Sequence, residues 1–452
     1  LNKIAKRLLM TPKLNTGYIF LVSLISALGG YLFGFDFAVI AGALPFLKTQ
    51  FDLNAYQEGF TTASLALGCM VGCVYAGRVS EKLGRKRSLM IAALVFTISS
   101  LLMAAATSIS FFIAARFCAG FAVGMASLLS PMYIAEIAPA AIRGRMVSLN
   151  QLAVVIGILV TNIVNYYLGS HGDASWRWMF GAGAVPSFLF FFGIIALPES
   201  PSWLFRKGRT EEASKVLRKF GNDQYASQAL TLIRNSSVTE EKVSVATIFK
   251  KPYSTAVIAG VVLAMFQQFC GINVVFNYTP AIFESVGFDK DDQLMQTVFI
   301  GAINLLFTFL AISLVDKLGR KPLMFAGAAL LCLLHIVNAL AIATKSPYTT
   351  IPLLASIGTY ACTLAPVTWV LISEIFPGKV RSTATSFAVL CLWAAYFILT
   401  FTFPILSELL GGIANTFYLY AAICFAGAVF IHFRIRETRG VELENMDSVF
   451  RH

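Results

Sequence analysis

Twelve apolar runs, each long enough to cross a bilayer, follow one another along this chain. A spanning helix needs about 20 mostly apolar residues. The runs over 17–47, 57–80, 88–107, 109–137, 146–169, 177–197, 254–286, 295–315, 322–344, 350–376, 383–410 and 414–434 meet that length. Charge content points the same way. Only 13% of the 452 residues are charged and 57% are hydrophobic, whereas a soluble protein carries about 25% charged residues. So few charges cannot cover a surface that faces water, and the apolar excess needs lipid as its solvent. The expected fold is an all-α membrane protein with twelve transmembrane helices.

The net charge of +12 has a topological explanation rather than a nucleic-acid one. Basic residues crowd alternate gaps between the runs: Lys3, Lys6, Arg7 and Lys13; then Arg78, Lys82, Arg85, Lys86 and Arg87; then Arg143 and Arg145; then Lys317, Arg320 and Lys321; then Arg434, Arg436 and Arg439. The other gaps hold little beyond Lys48, Arg177, Lys290 and Lys345. Cytoplasmic loops carry such an excess, so both termini are expected in the cytoplasm. No cleavable signal pattern precedes the first run, which is too long for one. The eight cysteines lie inside apolar runs without zinc-site spacing, and read as small packing residues. Asn-x-Ser/Thr patterns at Asn235 and Asn277 fall in a cytoplasmic segment and a span, which favours a bacterial inner membrane.

Residues 199–251 break the rhythm. They are polar and read as short amphipathic helices on the cytoplasmic side. The expected organisation is a six-helix bundle over 1–198, a helical linker over 199–251, a second six-helix bundle over 252–436 and a tail over 437–452. The chain also repeats itself. Asp316-Lys317-Leu318-Gly319-Arg320-Lys321 echoes Glu81-Lys82-Leu83-Gly84-Arg85-Lys86 at an offset of 235. Glu374 and Arg381 echo Glu136 and Arg143, and Glu437-Thr438 echoes Glu199-Ser200, both at 238. Such parallel repeats mark transporters whose substrate sits between the halves. The basic turns have two open readings. One is topology alone. The other is a latch in which Arg85, Arg143, Arg320 and Arg381 pair with Glu136, Glu199, Glu374 and Glu437 and hold the halves together when the inside is closed; a network is needed because single exposed pairs are weak.

The Gly-Arg-Lys turns, Pro198-Glu199-Ser200-Pro201-Ser202-Trp203, Gln267-Gln268-Phe269-Cys270-Gly271-Ile272-Asn273 and Glu437-Thr438-Arg439-Gly440 together resemble the sugar porter family of the major facilitator superfamily. The resemblance runs from about residue 17 to 447. It implies two six-helix halves that rock about a central sugar site. Three departures stand out: Asn277-Tyr278 where two tyrosines are usual, Leu392 where a polar residue usually precedes Trp393, and Ser202 where the family usually has Arg.

Asp36 lies in the middle of an apolar run, where an ionised carboxylate costs several kcal/mol unless paired or protonated. Arg116 is the only basic residue at comparable depth, so the two are expected to pair. The resemblance implies more, since proton-coupled members carry Asp at this position and facilitative glucose carriers an amide. A purely structural ion pair stays open beside proton coupling.

Sugars present hydroxyls and no charge, so they call for groups that both donate and accept, and for aromatic faces. By the resemblance, Gln151, Gln267, Gln268, Asn273, Asn304, Trp369 and Trp393 form the sugar site, with Phe33 at its edge. Amides of this kind also serve as interhelical glue. Gly29-Gly30, Pro131, Gly271, Pro280, Pro366 and Pro404 can bend or break their spans. The expected function is a proton-coupled monosaccharide symporter that works as a monomer with sugar, proton and bilayer as partners, and with no cofactor, metal or nucleic acid. A facilitative uniporter is the nearest alternative. A sugar sensor and a membrane-embedded enzyme are disfavoured, the first by the short tail after Arg439, the second by the lack of any catalytic or metal-ligand set.

Overall fold

The computed structural model describes residues 14–236, 244–251, 253–377 and 379–438. Lys3, Lys6, Arg7, Lys13, Arg439 and Gly440, used above for topology and motif, lie outside them. The described chain is all-α, with twelve helical stretches long and apolar enough to cross a membrane. Spans 1 to 6 are Thr16–Phe51, Ala55–Leu83, Arg85–Ala104, Ile109–Ile137, Arg143–Leu168 and Ser175–Ala196. Spans 7 to 12 are Ser254–Val286, Lys290–Leu318, Arg320–Ala343, then Thr350–Cys362 continued by Leu364–Glu374, then Arg381–Leu409 and Ile413–Arg434.

Among the described residues, four short helices join the two sets: Pro201–Arg206, Thr210–Phe220, Asp223–Ser236 and Val245–Ile248. Thr210–Phe220 is amphipathic, burying Ala213, Leu217 and Phe220. It docks on the start of span 1, where Asn15 N–H donates to the Phe220 carbonyl (2.9 Å) and the Tyr18 and Phe220 rings lie 5.5 Å apart. At its exposed start, the hydrogen bond from Arg209 holds the Glu212 carboxyl below its ordinary range.

Helices gain no hydrophobic advantage from associating within lipid, so close backbone approach and interhelical hydrogen bonds must hold them together. Spans 2 and 4 show how. Gly68 and Gly72 face Gly120 and Gly124, and a Cβ at any of the four would strike a backbone carbonyl of the partner helix: Phe117, Phe121, Leu65 and Cys69 respectively. Gly29 and Gly30 serve the same purpose. They do not break span 1, which is continuous, but press against Ser130 and Asn150.

The two six-span sets meet away from the basic turns at Gly84 and Gly319. Tyr56 and Phe60 of span 2 pack on Phe397 and Phe401 of span 11. Asn162 of span 5 donates to the Thr297 carbonyl of span 8 (2.7 Å). Ile272–Val286, the second half of span 7, packs on span 1, while packing between the first half, Ser254–Phe269, and the first set falls away. The cleft between the sets therefore opens toward the basic face.

Substituting Gly68→Leu should force spans 2 and 4 apart and cut the yield of monodisperse protein in size-exclusion chromatography several-fold. Gly77→Leu is the matched control, because nothing lies within 4 Å of the position a Cβ would take there; it should behave as the parent.

Candidate functional site

At the basic face, each set closes a clasp of charge. Gly84 and Gly319 adopt left-handed φ of 95° and 92°, and a side chain at either would strike a carboxylate, Glu199 or Glu437. Those carboxylates accept the backbone N–H groups that open spans 3 and 9: Arg85 and Lys86 at 2.8 and 3.2 Å, Arg320 and Lys321 both at 3.0 Å. Exposed N–H groups and the helix dipole make that end a natural carboxylate site. The Arg85 guanidinium grips Glu136 in a fork, Nε to Oε2 at 2.9 Å and Nη2 to Oε1 at 2.8 Å, while Arg320 reaches Glu374 at 3.1 Å. Ser200 and Thr438 complete the clasps by donating to Glu136 and Glu374.

Of the expected latch pairs, Arg85–Glu136 and Arg320–Glu374 form in this state. The bonds shown join residues of one set to residues of the same set, so they brace each half instead of clamping the two together. Arg143 donates to the Ala138 carbonyl (3.3 Å) rather than to a glutamate, and Arg381 donates to the Phe376 carbonyl (3.1 Å). Each guanidinium thus caps the chain turn just before its own span. Arg206, one helical turn beyond Ser202, sits 3.7 Å from Glu136 and supplies the positive charge that Ser202 lacks.

Deep in the first set, Arg116 Nη1 of span 4 meets Asp36 Oδ1 of span 1 at 3.2 Å, both side chains wholly buried. The arginine also lies over the Phe180 ring, 5.6 Å from its centroid. A single bond joins the pair. Asp36 Oδ2 and Arg116 Nε and Nη2 find no hydrogen-bond partner among the described residues. Two charges in this setting need each other, because either one alone would stand uncompensated in a medium of low dielectric.

In the second set, span 7 breaks. Ser254–Phe269 ends, Gly271 takes φ of 86°, and Ile272–Val286 begins. The break lies between Gln268 and Asn273, which on a continuous helix would point about 140° apart. Here they meet. Asn273 Nδ2 donates to Gln268 Oε1, Gln268 Nε2 to Gln267 Oε1 (2.6 Å), and Gln267 Nε2 to the Tyr360 hydroxyl (2.6 Å). Asn277, in the place of the usual tyrosine, donates to the Tyr396 hydroxyl (3.1 Å). Phe33 stands edge-on to Trp393 with ring centroids 5.6 Å apart, and Phe37 packs on both Phe276 and Tyr396.

The structure thus brings together Gln267, Gln268 and Asn273, and separately Phe33 and Trp393. Asn304 is buried without joining the amide chain, Gln151 is exposed, and Trp369 is 44% exposed. Tyr360, Tyr396, Phe37 and Phe276 are participants that the sequence reading missed. In an apolar run, their aromatic rings look like ordinary core. The proline reading holds in part. A second break falls at Thr363, just before Pro366, and a kink falls at Tyr278, just before Pro280, whereas Pro131 and Pro404 sit inside continuous helices.

A family model described as "Sugar (and other) transporter" matches residues 22–450. The chain is 37% identical to the D-xylose-proton symporter of Escherichia coli K12 over 481 aligned positions, covering 98% of this chain and 97% of that one. It is 35% identical to the arabinose-proton symporter of Bacillus subtilis, with the same coverage. Among solved structures, the inward open conformation of the xylose transporter XylE from E. coli superimposes with a TM-score of 0.86 at 35% identity, covering 96% of this chain and all of that one.

Breaking the buried pair from one side should destabilise more than removing it whole. Asp36→Leu should cost about 3–5 kcal/mol by stranding Arg116, and Asp36→Leu with Arg116→Met should recover most of that loss. Thermal unfolding of the two variants in detergent checks this.

Proposed function

The chain belongs to the sugar transporter family, as an integral multi-pass membrane transporter and not an enzyme, and on that premise we propose that it is a proton-coupled monosaccharide symporter working by alternating access. The buried Asp36–Arg116 pair carries the reading. Its free carboxylate oxygen can take a proton, and a protonated Asp36 no longer holds Arg116 by charge. Span 1 links that event to the sugar. Asp36 faces Arg116, and its span neighbours Phe33 and Phe37 press on Trp393 and Tyr396 of the other set. Protonation would release span 1 from span 4, and its aromatic contacts would pass the shift across the cleft. The named proton symporters among the relatives support this reading.

Gln267, Gln268 and Asn273 hold the sugar hydroxyls in this scheme, and Trp393 and Phe33 cover its C–H faces. Gln151, Asn304 and Trp369 complete the site when the halves close on it. The basic face is cytoplasmic, by the positive-inside rule. The cleft that opens toward it is then the inward-facing state, with both termini in the cytoplasm of a bacterial cell, and each monomer is a complete carrier. The clasps of Glu136 and Glu374 keep each half rigid as it rocks.

Thermal-shift measurements with xylose, glucose, galactose, arabinose and inositol should find at least one that stabilises the purified protein. Downhill entry of that sugar into deenergised vesicles should acidify the lumen. Entry without a pH change would make the protein a uniporter, with Asp36–Arg116 a structural pair. No stabilisation and no uptake with any of the five would overturn the sugar assignment.

A further inference from the structure

The break in span 7 leaves a carbonyl without its helical partner. On a continuous helix, the Cys270 carbonyl would accept from the N–H of Val274; here Val274 donates to Gly271 instead (3.1 Å). An unpaired carbonyl inside a bundle surrounded by lipid is costly, so side chains of neighbouring helices must satisfy it. One does so squarely. His335 of span 9, fully buried, places Nε2 at 2.8 Å from the Cys270 carbonyl, and Cys424 of span 12 adds a long thiol contact at 3.6 Å. A carbonyl can only accept, so Nε2 carries the proton. The imidazole is wedged against Phe417 and Tyr420, and the Tyr420 ring fills the space beside Gly271.

The internal repeat shows what is special here. Lys86 donates to the Ile195 carbonyl and Lys321 to the His432 carbonyl, which aligns span 3 with span 9 at an offset of 235 and span 6 with span 12 at 237. His335 then corresponds to Ser100, Phe417 to Phe180 and Tyr420 to Gly183. In the first set, Ser100 donates locally, to the Phe180 carbonyl, and span 1 runs unbroken through Gly34, the counterpart of Gly271. In the second set, the serine has become a longer donor that passes the Phe417 ring and reaches span 7 at its break.

We infer that His335 is a positioning residue for sugar binding: its Nε2–H fixes the Cys270 carbonyl, and thereby the break that brings Asn273 onto Gln268. This rests on the amides of span 7 being the sugar site. Without the donor, the segment samples a rewound helix in which the carbonyl returns to Val274 and Asn273 swings off Gln268. The sugar itself never touches the imidazole.

Three variants of the full-length protein test this: His335→Leu, which has no donor; His335→Asn, too short to reach; and His335→Gln, whose amide nitrogen falls near the Nε2 position. In the leucine and asparagine variants, backbone hydrogen exchange over 268–276, measured without sugar, should quicken about tenfold, as expected for one buried acceptor left unpaired. The dissociation constant for the stabilising sugar should rise by a similar factor, with turnover at saturating sugar little changed, and the glutamine variant should restore both. Unchanged exchange and affinity in the asparagine variant would overturn the inference, as would a glutamine variant as impaired as the asparagine one. That pair decides even if the leucine variant fails to fold. If the parent binds no sugar, the failure lies with the transport reading, and the exchange measurement still decides the role of His335.

Discussion

Inside a bilayer, there is no water to satisfy a polar group, so backbone donors and acceptors have to be paired within the protein, and a side-chain polar group or charge is costly unless it finds a partner there. That single constraint accounts for most of what is distinctive in this molecule. It makes the spans helical, and it lets glycines bring helices into backbone contact where hydrophobic burial offers nothing. It pairs Asp36 with Arg116 and routes the amides of span 7 into a chain that ends on Tyr360. It requires a donor for the carbonyl at the span 7 break, and His335 provides it. At the basic face, where water is near, the same need is met by carboxylates that cap helix starts and are themselves gripped by arginine and hydroxyl groups.

The repeat is symmetric in its frame and divergent in its interior. Both sets carry the same clasp, down to the hydroxyl that completes it. Within the membrane, they part ways. At an offset of 237, Asp36 in the first set falls on Asn273 in the second and Arg116 on Leu353; at 235, Ser100 falls on His335. Span 1 is continuous and carries a charge; span 7 is broken and carries amides. In the proposed mechanism, the proton is handled on one side of the cleft and most of the sugar on the other. Phe33 and Phe37 bridge the two by packing on span 11.

Much of this was legible in the sequence because it depends on length, composition and spacing. The twelve runs became twelve spans, and the isolated opposite charges at Asp36 and Arg116 had no other partners at their depth. The repeated Glu–Arg spacing drew attention to the basic-face residues. It could not tell which arginine each glutamate would hold, nor that the clasps close within a set, because that depends on which helices are neighbours. The break at Gly271 was foreseen as a possibility of glycine. Tyr360, Tyr396 and His335 were illegible for a common reason: each is a polar tip on a largely apolar body within an apolar run. Its role exists only through a partner some 65 to 119 residues away in the chain.

The central claim is that a proton on Asp36 drives sugar movement, and Asp36→Asn isolates it, since the amide can still accept from Arg116 but cannot titrate. Vesicles holding this variant should be compared with the parent in two assays run side by side, equilibrium sugar exchange and uphill accumulation under an inward proton gradient. The account predicts exchange close to that of the parent and no accumulation. Accumulation equal to that of the parent would contradict it.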